Sequence, residues 1–374
     1  MPVEPPVIVS SDPSSFPHSV LRDRHAAIVA KVLAAYPYAP QVRKRLEMLL
    51  HEQAVAPLDD REHDAAAWAV WGAGMWGRSW YDVPFLFAEN FFYRRLLDAV
   101  GYYAPGAWRG IDPFGPQKAA DLPGERELAE LDALRALPED EQAAGVVRAA
   151  VWGNRADLGF GLVASHADRV EELLVDDSAR MWSLTRGGTV IVVADNAGRE
   201  LLPDLVLIDF LLRTGRASRV ELHVKPAPYF VSDALSADVL AELGRFPAGS
   251  AIGGRLDGAL RRGQLELYTE DFYCAPLTFH DAPDGLAARF AAAELTILKG
   301  DLNYRRLVGD RRWPVDTPFE EVSAYFPGPV AALRTVKSDV VTGLAADAER
   351  GLPASWRTSG AFALVQVRGV HVRG

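Results

Sequence analysis

The stretch Thr189–Glu200 reads TVIVVADNAGRE, an apolar β-branched run that ends in an acid and an amide. Residues 189–193 predict a strand buried in a covered sheet, since β-branched side chains pack well on a pleated surface. Gly198 permits the tight turn from strand to helix, and Glu200 then falls in the first helical turn, where an acid complements the helix dipole. Asp195 and Asn196 admit two readings here. They cap the next helix, or they present hard oxygen ligands to a divalent metal.

The same rhythm continues outward from this segment. GGTVIVVAD (187–195), SRVELHVK (218–225), AELTILKGD (293–301), AALRTVKSD (331–339) and AFALVQVRG (361–369) read as strands, with RELLPDLVLIDFLLRTG (199–215) and SADVLAELGRF (236–246) as helices between them. Strand and helix in alternation predict an α/β core with a mostly parallel, Rossmann-like sheet flanked by helices. That core is placed at 151–374. A mainly helical N-terminal domain is placed at 1–150, because AAIVAKVLAAY (26–36) and QVRKRLEMLLHEQ (41–53) repeat apolar residues at three- and four-residue steps. Its aromatic segment, Trp68 to Arg95, reads as a helical core or a wall against the second domain.

Composition narrows the class. The chain has 374 residues, 49% hydrophobic and 24% charged, and a net charge of -10, which opposes general affinity for nucleic acid or an anionic membrane. One cysteine, Cys274, forms no internal disulfide, and no apolar run reaches the length of a membrane span. A cytoplasmic protein with no obligate protein partner is expected.

Four predicted strands run into polar clusters: Val193 into Asp195-Asn196, Val224 into a loop ending Ser232-Asp233, Leu298 into Lys299 to Asn303, and Leu333 into Arg334 to Lys337. Ligands of open α/β sheets bind outside the carboxyl ends of the strands, so these clusters are expected in one crevice. Asp195, Asn196 and Asp233 form a hard oxygen set suited to Mg or Mn and tolerant of Co or Ni. Lys299, Arg305, Arg334 and Lys337 have the charge to neutralise a phosphate, with Asp301 and Asn303 holding hydroxyls or orienting Lys299. Any one of these lysines read alone is a solvated ion-pair partner. Together they point to phosphoryl chemistry.

Other motifs carry less. Gly72 to Gly77 matches G-x-G-x-x-G but follows a helical stretch and reads as a tight aromatic turn. The P-loop, G-x-S-x-G and H-E-x-x-H signatures are absent from the sequence. His223 lies on an apolar strand and reads as a core residue.

The strings WGNRADL (152–158), DNAGREL (195–201), KPAPYFVSD (225–233), KGDLNYRRLVGDRRW (299–313) and LRTVKSD (333–339) together resemble the metal-dependent damage-control phosphatases of the DUF89 family. The match is closest to the subgroup with an Arg-Thr-x-Lys motif, which includes the acidic residue methyltransferase proteins. SWYDVPFLFAENFFYRRLL (79–97) and DPFGPQK (112–118) resemble that subgroup's N-terminal region.

The resemblance implies a divalent metal on Asp195, Asn196 and Asp233, and substrate contacts from Asp301, Asn303, Tyr304 and Arg305 and from Lys337. It matches Glu200 to an acid associated with S-adenosylmethionine and places Asn154 and Asp157 near a sugar. Asp195 and Lys337 are the expected catalytic residues. The implied substrates are phosphometabolites such as fructose 1-phosphate or fructose 6-phosphate. The alternative is an S-adenosylmethionine-dependent protein-glutamate O-methyltransferase, which the single glycine of VVADNAGRE disfavours. A third reading is a non-enzymatic metabolite-binding protein whose acids only cap helices.

Overall fold

The computed structural model describes residues 4–122, 124, 131, 134–153, 172–247 and 249–369. Among them, seven strands form one sheet: β1 Glu172–Asp176, β2 Thr189–Val193, β3 Arg219–Val224, β4 Leu265–Thr269, β5 Leu295–Lys299, β6 Val330–Thr335 and β7 Phe362–Arg368. Their order is β1-β7-β6-β5-β2-β3-β4. Strands β2 to β6 are mutually parallel, β7 runs antiparallel to β6, and β1 runs parallel with β7. The expected mostly parallel α/β sheet is present.

Strand periodicity divides the core. Val190 and Val192 enter one apolar cluster with Leu222, Ile297 and Leu333, whereas Ile191 and Val193 enter another with Leu298, Val330 and Ala332. Both faces of β2 are therefore covered, which is why its sequence is apolar throughout rather than alternating. The first cluster is closed by the helices Glu139–Trp152, Leu201–Arg213 and Ala251–Arg261, and the second by Asp284–Ala292 and Gly300–Leu307.

Strands β1 and β4 were not among the predicted elements. Both lie at sheet edges and are short, and β4 (LELYT) is half-buried, so neither carries the continuous apolar run that marks a central strand.

The N-terminal region packs on this core at several points. The helix Phe85–Val100 is buried along nearly its whole length and ends on Gly101 at φ 84, the left-handed conformation that glycine adopts without cost. Its Phe87 and Phe91 meet Trp68 and Trp76 edge-on or tilted, and Phe91 stacks on Trp80, so the aromatic segment is a helical core. Phe85 belongs to the sheet's second cluster, and Ala227 and Tyr229 from the loop after β3 join the helical one. The helix Glu139–Trp152 spans residue 150 and packs into the sheet core.

Candidate active site

The chain runs β2, β3, β4 toward one edge, then returns to place β5 on the other side of β2. Strand order thus reverses between β2 and β5, the position where an open α/β sheet forms its crevice. Asp195 lies two residues beyond β2, and Gly300 directly follows β5. Gly300 has φ +81, and a Cβ on it would lie 1.9 Å from Asp195 Oδ2. Only glycine fits there, on both steric and conformational grounds. Asn303 ties the two strand ends together, its Nδ2 donating to Ala194 O at 3.1 Å and to Lys299 O at 2.8 Å.

The loop after β3 closes the crevice from the other side. Ala197 N donates to Ser232 O at 2.7 Å, and Ala234 N donates to Asp195 O at 2.9 Å, setting Asn196 and Asp233 opposite each other as an antiparallel bridge. Ser232 Oγ donates to Asn196 Oδ1 at 2.6 Å, and Asn196 Nδ2 donates to Asp195 Oδ2 at 3.1 Å. Phe230 and Val231 adopt φ 52 and φ 71. Two successive non-glycine residues in the left-handed region, one of them β-branched, store on the order of 1–3 kcal/mol each and are held by these surrounding bonds.

Asp195, Asn196 and Asp233 are brought together, and the set fits a hard divalent cation on three observations. All donors are oxygens. Asp233 Oδ2 is buried without a hydrogen-bond partner, and the Lys225 ammonium stands 3.2 Å away as its ion-pair partner. Both carboxyls are pushed above the ordinary carboxylate range: Asp195 by burial, then by Glu200 and Asp233, and Asp233 by burial with Glu200 adding to it. Lys337 and Lys299 pull Asp195 back, and Lys225 and Lys118 do so for Asp233. A crowded set of buried acids is the electrostatic situation that a divalent ion relieves. Among the described residues, no group of three or more His, Cys, Asp and Glu gathers as a metal set, and the third oxygen donor beside the two acids is the Asn196 amide.

Lys337 stands at the mouth. Its half-exposed ammonium lies 3.6 Å from Glu200 Oε1. Asp301 orders this rim, since Oδ1 accepts from Lys337 N at 3.3 Å and Ser338 Oγ at 3.1 Å and lies 2.9 Å from the Arg334 guanidinium.

The remaining predicted contacts turn inward. Lys299 is buried, with Nζ 2.7 Å from Asp204 Oδ1 and donating to Ala150 O, so neither Asp301 nor Asn303 orients its ammonium. Arg305 is enclosed by Glu89 and Asp310, each at 2.7 Å. Arg334 is buried, donates to Val340 O at 2.6 Å and lies over the Tyr304 ring. The Tyr304 hydroxyl is itself buried against Thr342 Oγ1 at 2.9 Å. Lys299, Arg305 and Arg334 are held inside the fold, because a long cationic side chain on a covered sheet finds an internal acid or carbonyl before it finds solvent. Asn154 and Asp157 lie outside the described residues.

Lys225 was absent from the predicted site, yet it stands beside Asp233. The signal was in the sequence: Lys225 directly follows β3, as Lys299 ends β5, so the rule that selected one strand-end lysine applied to the other. The other candidates read as structural. His223 is buried against the Tyr273 hydroxyl at 2.6 Å. Burial pushes the Cys274 thiol up to about 11, away from the range of a reactive thiolate. Gly74 and Gly77, at φ 78 and φ 82, sit in a turn after the helix Ala65–Trp71.

Residues 20–351 match the model of the damage-control phosphatase ARMT1-like domain. The chain belongs to this family of ARMT1-like damage-control phosphatases. It is 26% identical to the damage-control phosphatase ARMT1 of Danio rerio over 96% of this chain and 95% of that one. It is 31% identical to the Bos taurus protein of the same name over 78% of this chain and 75% of that one. The human counterpart is 29% identical over the same shares. In structure it is similar to a DUF89 family protein from Pyrococcus horikoshii, with a TM-score of 0.51 and 15% identity over 94% of this chain and 96% of that one, a likeness of fold. As an ARMT1-like damage-control phosphatase the protein is a phosphatase of a metal-dependent family, as the sequence motifs implied.

Proposed function

We propose that this phosphatase hydrolyses small sugar phosphates, such as fructose 1-phosphate or fructose 6-phosphate, with a divalent metal (Mn, Co, Ni or Mg) held by Asp195, Asn196 and Asp233. The observation that carries this reading is the meeting of those three oxygen donors at the β2/β5 switch point, beside the Lys337–Glu200 pair. When bound, a divalent ion supplies Lewis acidity toward a phosphoryl oxygen and toward water.

The chain's own residues do the rest. Lys337 offers a mobile point charge to the equatorial phosphoryl oxygens, where negative charge grows during transfer. Glu200 holds that ammonium at the mouth until an anion arrives. The helix Gly300–Leu307 opens beside Asp195 with no side chain capping it, so its first backbone N–H groups are donors for an anion. Asp301 fixes the Lys337 backbone, and Asn303 fixes the helix relative to Asp195. Asn196, being neutral, adds a ligand without adding charge to the crowded pair of acids. The net charge of -10 and the single cysteine suit a small-molecule enzyme of the cytoplasm with no nucleic-acid partner.

The test is phosphate release from fructose 1-phosphate, fructose 6-phosphate and p-nitrophenyl phosphate with each metal in turn. Release that rises with metal and stops with EDTA is expected. Labelled methyl transfer from S-adenosylmethionine to a protein carboxylate, with no phosphate released, would overturn the reading.

A further inference from the structure

We infer that Lys225 is a positioning residue that fixes Asp233 for its metal. The inference rests on the proposal that Asp233 is a metal ligand, and adds a residue to that centre. Lys225 follows β3, its N–H donates to Ala234 O at 3.0 Å, and it bridges to Leu235. The chain therefore leaves and returns at one point, with the strained Phe230-Val231 turn between. The side chain continues this closure. Nζ donates to Tyr273 O at 2.5 Å, stands 3.2 Å from Asp233 Oδ2 and lies 5.3 Å over the Phe230 ring.

Two features separate this role from direct contact with a phosphate. The Lys225 side chain is only 12% exposed, against 38% for Lys337, and its ammonium is already tied to a backbone carbonyl and a carboxylate. Asp233 Oδ2 has no hydrogen bond of its own, so the adjacent ammonium holds it by charge. The ammonium thus sets the rotamer of a carboxylate whose Oδ2 keeps no hydrogen bond and is open to the metal. An outer partner of this kind restricts a ligand that would otherwise sample several rotamers, and losing such a partner typically costs about 10–100-fold in metal affinity or activity.

The experiment measures Mn2+ binding to the full chain by the electron paramagnetic resonance signal of free Mn2+, alongside steady-state kinetics at saturating Mn2+ and thermal unfolding without metal. Wild type is expected to bind Mn2+ and Asp233→Ala to lose it. Lys225→Met is expected to weaken Mn2+ binding about 10–100-fold while KM at saturating metal changes little. Lys225→Gln, which keeps length without charge, is read the same way if the Met variant does not fold. Unchanged Mn2+ affinity with a raised KM makes Lys225 a substrate ligand and overturns the inference. Mn2+ binding that survives Asp233→Ala, or is absent from wild type, overturns the metal reading instead, and the two failures are distinct.

Discussion

Gly300 and Asp195 occupy adjoining space at the switch point, so close that a Cβ at residue 300 would fall 1.9 Å from Asp195 Oδ2. Gly300→Ala must therefore displace the carboxylate and also strain its own backbone at φ +81. Metal-stimulated phosphate release is expected to fall about 100-fold, the scale of a 1 Å misplacement at a reacting centre. Circular dichroism should stay native. Wild-type rates in a folded variant would show that Asp195 has room the geometry denies it.

Lys299 supports the crevice through the buried pair it makes with Asp204, whose carboxyl burial pushes up to about 6 even with Lys299 beside it. Lys299→Met leaves that acid without its cation and is expected to cost about 3–5 kcal/mol of stability by urea unfolding. The double variant Lys299→Met with Asp204→Leu should recover most of it, because two apolar residues remove both charges. An Lys299→Met variant of native stability with an elevated KM would return Lys299 to the substrate.

The contrast between Lys299 and Asp195 shows what was legible in the sequence. The covered sheet was, since Thr189–Val193 must place alternate residues on two faces and so reads apolar throughout. The meeting of Asp195, Asn196 and Asp233 was also legible, because parallel strands deliver their carboxyl ends to one edge. Side-chain direction was not. Lys299, Arg305 and Arg334 sit at strand ends or on the following helix as a substrate cation would, yet Asp204, Glu89 and Asp301 claim them, and those acids lie far away in sequence. Gly300 looked like one glycine among 31, and only the approach of Asp195 gives it a reason.

Lys337 presents the opposite case. Half-exposed and 3.6 Å from Glu200, too far for a close hydrogen-bonded pair, its ammonium bears little of the fold. Lys337→Ala is expected to leave the thermal midpoint nearly unchanged while kcat falls about 100-fold, the scale of losing one preorganised charge at the transition state. A change confined to KM would instead assign it to ground-state binding.

Glu242, on the helix Ser236–Leu243, makes stability depend on pH away from the crevice. It is fully buried, and both carboxylate oxygens are without a hydrogen-bond partner. Burial pushes its pKa up from 4.5 to about 7, with Asp238 and Asp121 adding to it and Arg245 opposing. The unfolded chain gives up this proton first as pH rises, so the folded state loses stability between about pH 4.5 and pH 7. Glu242→Gln removes that loss. Its thermal midpoint relative to wild type should rise from pH 5 to pH 8, and a difference independent of pH would refute the assignment.

Asp195 tests whether the site is kept for function at a cost in stability. Its carboxyl sits among Glu200 and Asp233 and is pushed up first by burial, so its charge is unfavourable in the metal-free protein. Asp195→Asn keeps the shape and the acceptor for Asn196 Nδ2 while deleting that charge. The metal-free variant is expected to gain on the order of 1 kcal/mol, about 2 °C in thermal midpoint for a chain of this size. Wild type should instead gain stability when Mn2+ is added, by mass action on the folded state, and the variant should not. Differential scanning calorimetry with and without Mn2+ reads both effects. An Asn variant that is less stable without metal, yet still stabilised by it, would place Asp195 in the fold's support rather than in the metal's.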